Sequence, residues 1–227
     1  LLLNYQGKTA DVMTLAHELG HGIHQLMAAK KGVLLAETPL TLAETASVFG
    51  EQLTFRALLN SDDYGIDKRQ LIAGKIESML NTVVRQVAFY DFERRLHNER
   101  RSGEISHNRL GEIWLEVQSE SLGEAFTLDS EYANYWCYIP HFIHTPFYVY
   151  AYAFGDCLVN ALYGLYLDGQ PNFRENYLNM LRSGGSAHHG ELLSPFGVDA
   201  NNPAFWQKGI AVIESFIEEL AQFEVPG

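Results

Sequence analysis

The stretch that most constrains this chain is His17-Glu18-Leu19-Gly20-His21, set within residues 11–27. Across that segment apolar residues fall at Val12, Leu15, Ala16, Leu19, Ile23, Leu26 and Met27, a helical and not a strand period. On a helix His17 and His21 stand one turn apart on the same face, close enough to share a metal ion. Glu18 lies beside the pair and can reach a water held by that metal. The spacing is the H-E-x-x-H arrangement of zinc hydrolases, two imidazole ligands and a glutamate general base. A helix that merely carries two hydrogen-bonded histidines gives the same pattern, so the reading depends on a third ligand downstream.

A catalytic zinc takes three protein ligands and keeps one position open for water. Glu44, in Leu42-Ala-Glu44-Thr-Ala-Ser47, is the candidate third ligand. Thr41-x-x-Glu44 also fits a capping box, which would commit Glu44 to a backbone N–H. Thr38-Pro39 supplies a better start for that helix, predicted through about Asn60, and leaves Glu44 on its second turn. Glu37 competes as a ligand but falls before the helix, in a predicted loop. Glu51, two turns later on the same face, is either a hydrogen-bond acceptor for a ligand histidine or an ordinary surface carboxylate. His24 is read as a structural histidine, because three ligands complete the site without it.

Hydrolysis of a peptide bond also needs hydrogen-bond donors where the oxyanion develops. Residues 139–152 are rich in aromatics and histidine. On a helix predicted from Thr145-Pro146, Tyr148 and Tyr152 share a face and Tyr150 points elsewhere. By spacing alone such a stripe is more often core packing than catalysis. His188-His189, beside the Gly/Ser loop, is read as exposed loop, with substrate contact as the alternative.

The chain has 227 residues, 47% of them hydrophobic and 12% aromatic, which is enough for a packed core. Its net charge of −12, with no basic stripe, argues against nucleic acid as a partner. Cys137 and Cys157 are read as two thiols and not as a disulfide or metal pair. No apolar run reaches membrane-spanning length, and no signal peptide is visible. Leu1 to Tyr5 could form a strand, ended by Gln6-Gly7-Lys8. The first helix, capped by Thr9 or Asp11, is predicted to reach about Lys30 and to stop at Gly32. Ser61 to Gly65 reads as a turn. Lys68 to Arg101 has helical periodicity throughout, its end from Glu93 onward being a solvated charge run. Ser106 can cap another helix through about Leu122, Asn172 to Leu181 reads as a short helix, and Ser183-Gly-Gly-Ser186 as a flexible loop. Pro203 to Phe223 reads as a terminal amphipathic helix. The expectation is a mainly α single domain over residues 1–227, with at most a short strand or small sheet at the N-terminal edge.

Four marks occur in order across most of the chain. They are His17-Glu-Leu-Gly-His21-Gly-Ile-His24-Gln, then Ala43-Glu44-Thr-Ala-Ser47 with Glu51, then Pro140-His141-Phe142 with Phe147-Tyr-Val-Tyr-Ala-Tyr152, and finally Leu181-Arg-Ser-Gly-Gly-Ser186 followed by Gly197-Val-Asp199. In these the sequence resembles the oligoendopeptidase F group of zinc metallopeptidases, relatives of thimet oligopeptidase and neurolysin. The resemblance implies a helical zincin-type catalytic domain with one Zn2+ held by His17, His21 and Glu44. It implies Glu18 as base and proton shuttle, and His141 with Tyr152, or the neighbouring Tyr148, as groups that bind the substrate carbonyl. It further implies short peptides as substrates and the cytoplasm as the location. Members of the group are longer, with an N-terminal helical region that forms the other wall of a deep channel. These residues would then be a C-terminal catalytic portion whose partner is that region. The group's Gly-rich loop before the tyrosines is replaced here by His144-Thr-Pro-Phe147. Two other functions fit the same residues: a zinc-bound peptide-binding module without turnover, and a zinc carboxypeptidase of similar helical build.

Overall fold

The computed structural model describes residues 1–61, 65 and 67–223. Among them the fold is mainly α, with no strand. Leu1 to Tyr5, expected as a strand, has no regular secondary structure and is largely exposed, so no partner strand pairs with it. Asp62, Asp63 and Tyr64 of the expected turn lie outside the described residues. The chain divides into two compact units, residues 1–79 with 154–227, and residues 80–153.

In the first unit, α1 spans Thr9–Ala28. The Asp11 side chain closes its start by accepting from the backbone N–H groups of Lys8 at 2.9 Å and Gln6 at 2.8 Å. The cap residue itself is Lys8, and neither Thr9 nor Asp11 takes that position. A 3-10 turn over Ala29–Lys31 follows, and Gly32 ends it at φ 78°, a conformation glycine adopts without strain.

The next predicted helix is broken in two, α2 over Leu40–Ala43 and α3 over Thr45–Leu59, with Glu44 at the break. Side chains satisfy the carbonyls around that break. Thr45 Oγ1 donates to Leu42 O at 2.7 Å, and Tyr177 OH donates to Thr45 O at 2.9 Å. Helix α4 spans Lys68–Thr82 and α5 Val84–Arg100, so the long predicted helix is interrupted at Val83.

The first unit also holds most of α8 (Tyr150–Leu167), together with α9 (Phe173–Ser183), α10 (His189–Leu193) and α11 (Pro203–Ala221). Its core joins Leu42, Val48 and Phe49 to Leu158, Leu162, Phe173 and Phe205. The Gly/Ser loop after α9 is pinned in place. Gly185 N donates to Leu35 O at 2.8 Å, and a Cβ on Gly184 would lie 2.4 Å from that same oxygen.

Helix α1 packs on α3 and α9 in an unexpected orientation. Its buried residues are Gly20, His24 and Ala28, whereas Leu15, Leu19, Ile23 and Leu26 are exposed. Gly20 is the reason for the close face. A Cβ there would lie 2.5 Å from both Ala46 O and Ser47 Cα, so only glycine lets the two backbones meet.

In the second unit, α5 packs on α6 (His107–Leu122), which Ser106 caps by accepting from Arg109 N at 3.2 Å. A 3-10 segment, Ser130–Tyr138, and the short α7, His141–His144, complete it. Its core is aromatic, with Phe89, Phe92, Trp114 and Val149 buried and Phe142 packed against them. Helix α8 starts at Tyr150 and not at Thr145, because Phe147 adopts φ 62° and breaks helical continuity.

Candidate functional site

The break before α3 puts Glu44 opposite the histidines of α1. Glu44 Oε2 lies 3.4 Å from His17 Nε2 and 3.4 Å from His21 Nε2, and the two Nε2 atoms are 3.0 Å apart. Three ligand atoms therefore converge from two helices, and His17, His21 and Glu44 form a group able to hold a metal ion. Each of the three is half-buried. Glu44 stands at the cap position between α2 and α3, but its side chain makes no capping hydrogen bond, and Glu37 is not part of the group.

Two further contacts aim Glu44. Ser47 Oγ donates to Glu44 Oε2 at 2.7 Å, and Gly155 of α8 lets that helix approach, since a Cβ there would lie 3.1 Å from Glu44 Cβ. His17 is fixed from behind by Glu51, whose Oε1 lies 2.6 Å from His17 Nδ1. That hydrogen bond raises the His17 pKa above its usual value. Burial opposes the rise, and the charges of Glu51, Glu44 and Glu18 add to it. Glu18 sits half-buried on α1 next to His17.

His24 is buried, with Nε2 3.4 Å from Thr38 Oγ1, and burial followed by the neighbouring His21 lowers its pKa. It does not join the ligand group. His188 Nδ1 accepts from Gly190 N at 3.3 Å and so serves the start of α10.

Behind Glu51 lies a polar chain with no counterpart in the sequence reading. Lys75 of α4 is buried, and its Nζ is 3.5 Å from Glu51 Oε2. Asp156, Asn160 and Gln52 are buried beyond it. Asn160 Nδ2 donates to Asp156 Oδ2 at 2.8 Å, and Gln52 Nε2 donates to Asn160 Oδ1 at 2.6 Å. Burial pushes the Asp156 carboxyl up to about 6, against the opposing charge of Lys75.

In the second unit, His141, Tyr148 and Tyr152 form one ring cluster. Tyr152 OH lies 3.3 Å from His141 Nε2, the His141 and Tyr148 rings stack with centroids 5.7 Å apart, and the two tyrosine rings are 5.2 Å apart. Tyr150 turns away and packs on Tyr90. Tyr148 precedes α8 and does not lie on it, yet the turn at Phe147 still brings its ring to Tyr152.

Glu93 holds that turn. It is buried, Oε1 accepts from Phe147 N at 2.8 Å, and Oε2 has no hydrogen-bond partner among the described residues. Glu93 belongs to the stretch expected to be a solvated face; it points inward instead, and burial raises its pKa. A signal for both missed residues was present. Lys75 stands in register with Leu71, Ile72 and Met79, and Glu93 with Phe89, Phe92 and Leu96, each a charge on an apolar stripe.

The sequence profile of peptidase family M3 matches residues 1–212. The chain belongs to this family. Oligoendopeptidase F (chromosomal) of Lactococcus lactis subsp. cremoris is 28% identical over 229 residues, covering 100% of this chain and 38% of that protein. Oligopeptidase PepF of Bacillus subtilis is 27% identical, covering 98% of this chain and 33% of its own length. The crystal structure of oligoendopeptidase-F from Enterococcus faecium superposes with a TM-score of 0.80 at 27% identity, covering 94% of this chain and 39% of that one. The chain thus spans little more than a third of the length of these M3 relatives. Among the described residues no helix is long and apolar enough to cross a membrane.

Proposed function

We propose that this M3 chain carries the zinc site and catalytic groups of an endopeptidase acting on short oligopeptides. The observation that carries the reading is the spacing of the three ligand atoms. Ligands bound tetrahedrally at zinc's usual bond lengths of about 2.0–2.1 Å sit about 3.3 Å from one another. The three separations here are 3.0, 3.4 and 3.4 Å. Two imidazoles and one carboxylate also match a catalytic ligand set with one position left for water.

Zinc bound there would act as a Lewis acid and bring the pKa of its water toward neutrality. The Glu18 carboxylate, beside the ligand His17, would accept a proton from the attacking water and hand it to the leaving amine. His141 and Tyr152 supply hydrogen bonds to the carbonyl oxygen as it gains charge, with Tyr148 stacked on His141 to hold its ring. The oligopeptidase names of the relatives support short peptides as substrates.

The test combines elemental analysis with a peptide blocked at both ends. The expected result is about one zinc per chain in the wild type and in Glu18→Gln, and a clear loss in Glu44→Ala. Cleavage of the blocked peptide should fall by at least about 10³-fold in Glu18→Gln. Full cleavage by zinc-loaded Glu18→Gln would sink the base assignment. Cleavage of free-ended peptides alone would make the protein a carboxypeptidase, and zinc with peptide binding but no product would make it a binding module.

A further inference from the structure

We propose that Lys75 is a positioning residue for the metal site, its buried ammonium holding Glu51 in the place from which Glu51 fixes the ring of the ligand His17. This rests on the zinc-peptidase reading above. Lys75 reaches no ligand directly and acts through one intervening carboxylate.

Three observations lead there. The Lys75 side chain is only 6% exposed and shares its helix face with Leu71, Ile72, Ile76 and Met79. An ammonium is not desolvated among such neighbours without a charged partner to offset the cost. The partner is Glu51, and the carboxylate is divided between two groups. One oxygen lies 2.6 Å from His17 Nδ1, the other 3.5 Å from Lys75 Nζ. Finally, the buried Asp156, joined through Asn160 to Gln52, lies close enough for its charge to act on Lys75, so a second acidic group stands near the ammonium besides Glu51.

The physical consequence concerns orientation. A carboxylate held by a single imidazole can swing about its own side-chain torsions. Held also by a cation, it keeps one orientation and so fixes which nitrogen of His17 bears hydrogen. Nδ1 donates to Glu51, so Nε2, the atom facing Glu44 Oε2 at 3.4 Å, presents its lone pair to the metal. Partners of this kind behind a metal-binding histidine typically change metal affinity by about 10–100-fold when removed. A buried ion pair with a purely structural role would change stability and leave metal affinity alone.

The experiment measures zinc affinity of the 227-residue chain by competition with a chromogenic chelator, for wild type, Lys75→Met and Lys75→Arg. In parallel, the His17 Nδ1–H proton is followed by NMR on ¹⁵N-histidine-labelled protein. Lys75→Met is expected to bind zinc about 10–100-fold more weakly and to lose the protected Nδ1–H signal, and Lys75→Arg to recover most of both. Should Lys75→Met not fold, Lys75→Gln, which keeps a donor but no charge, carries the same expectation. Wild-type affinity and an unchanged His17 signal in the uncharged variants would overturn the role of Lys75 while leaving the zinc site standing. A wild type that takes up no zinc would overturn the zinc reading itself.

Discussion

The ligand group of the first unit and the ring cluster of the second are held by different forces. His17, His21 and Glu44 are set by backbone contact and by charge. Gly20 brings α1 onto α3, Ser47 and Gly155 aim Glu44, and Glu51 with Lys75 anchors His17. His141, Tyr148 and Tyr152 are set by aromatic packing and by one turn, with Phe147 at φ 62° tied to Glu93. Directional, charged contacts suit groups that must meet at a fixed ångström spacing. Ring contacts tolerate small displacements, so the geometry of this cluster is less tightly fixed.

The most damaging test of that contrast pairs two glycines. Gly20→Ala would drive a Cβ to within 2.5 Å of Ala46 O and Ser47 Cα, both main-chain atoms that cannot step aside. A loss of about 3 kcal/mol or more is expected in denaturant melts, with zinc uptake lost as well. Gly111→Ala in the second unit meets Ala133 Cβ at 3.0 Å and Ala133 O at 3.2 Å, looser contacts that a shift of a few tenths of an ångström relieves. A loss of about 1 kcal/mol is expected there. Equal losses for the two would remove the distinction between a rigid contact in the first unit and a yielding one in the second.

Buried acids sharpen the comparison further. The Asp156 pKa is raised to about 6 from the usual 3.8, so the folded state holds the proton more tightly than the unfolded one. The resulting stability is fully present below about pH 4 and is lost as pH rises through about 6, by up to about 3 kcal/mol. Asp156→Asn should abolish that fall, read as the difference between the two proteins' stabilities across pH 4 to 7. No difference in slope would mean that Lys75 compensates the carboxylate fully.

The mildest variant of the set is at Glu93. Glu93→Gln keeps an oxygen for Phe147 N and is expected to stay within about 1 kcal/mol of wild type. Glu93→Ala removes that acceptor and opens a cavity, at a cost of about 2–3 kcal/mol by thermal melting. A neutral alanine variant would show that the ring contacts hold the turn unaided.

Much of this was legible in the sequence, for identifiable reasons. The H-E-x-x-H spacing works because helical periodicity alone puts His17 and His21 on one face. The mainly α fold follows from the same periodicity repeated along the chain. The break at Glu44 was not legible, because the contacts that sustain it come from Thr45 and from the distant Tyr177. The inward face of α1 was not legible for a related reason. Apolar periodicity marks Leu15, Leu19, Ile23 and Leu26, whereas the packing surface is made by Gly20, a residue that contributes no side chain. Lys75 and Glu93 carried a signal of burial in the apolar stripes they stand on, but their partners, Glu51 and the Phe147 main chain, were not legible.

The meeting of α1 and α3 at Gly20 bears on how such a chain can change over generations. A core made of side chains can be remodelled in small steps, one residue growing as its neighbour shrinks. Main chain pressed on main chain offers no such trade, and Gly50, whose Cβ would stand 3.1 Å from Ala16 O, repeats the constraint one turn away. The distance between the helices that present the ligands is therefore inherited whole. Side chains elsewhere can trade volume in steps, but that distance has no gradual path to another value.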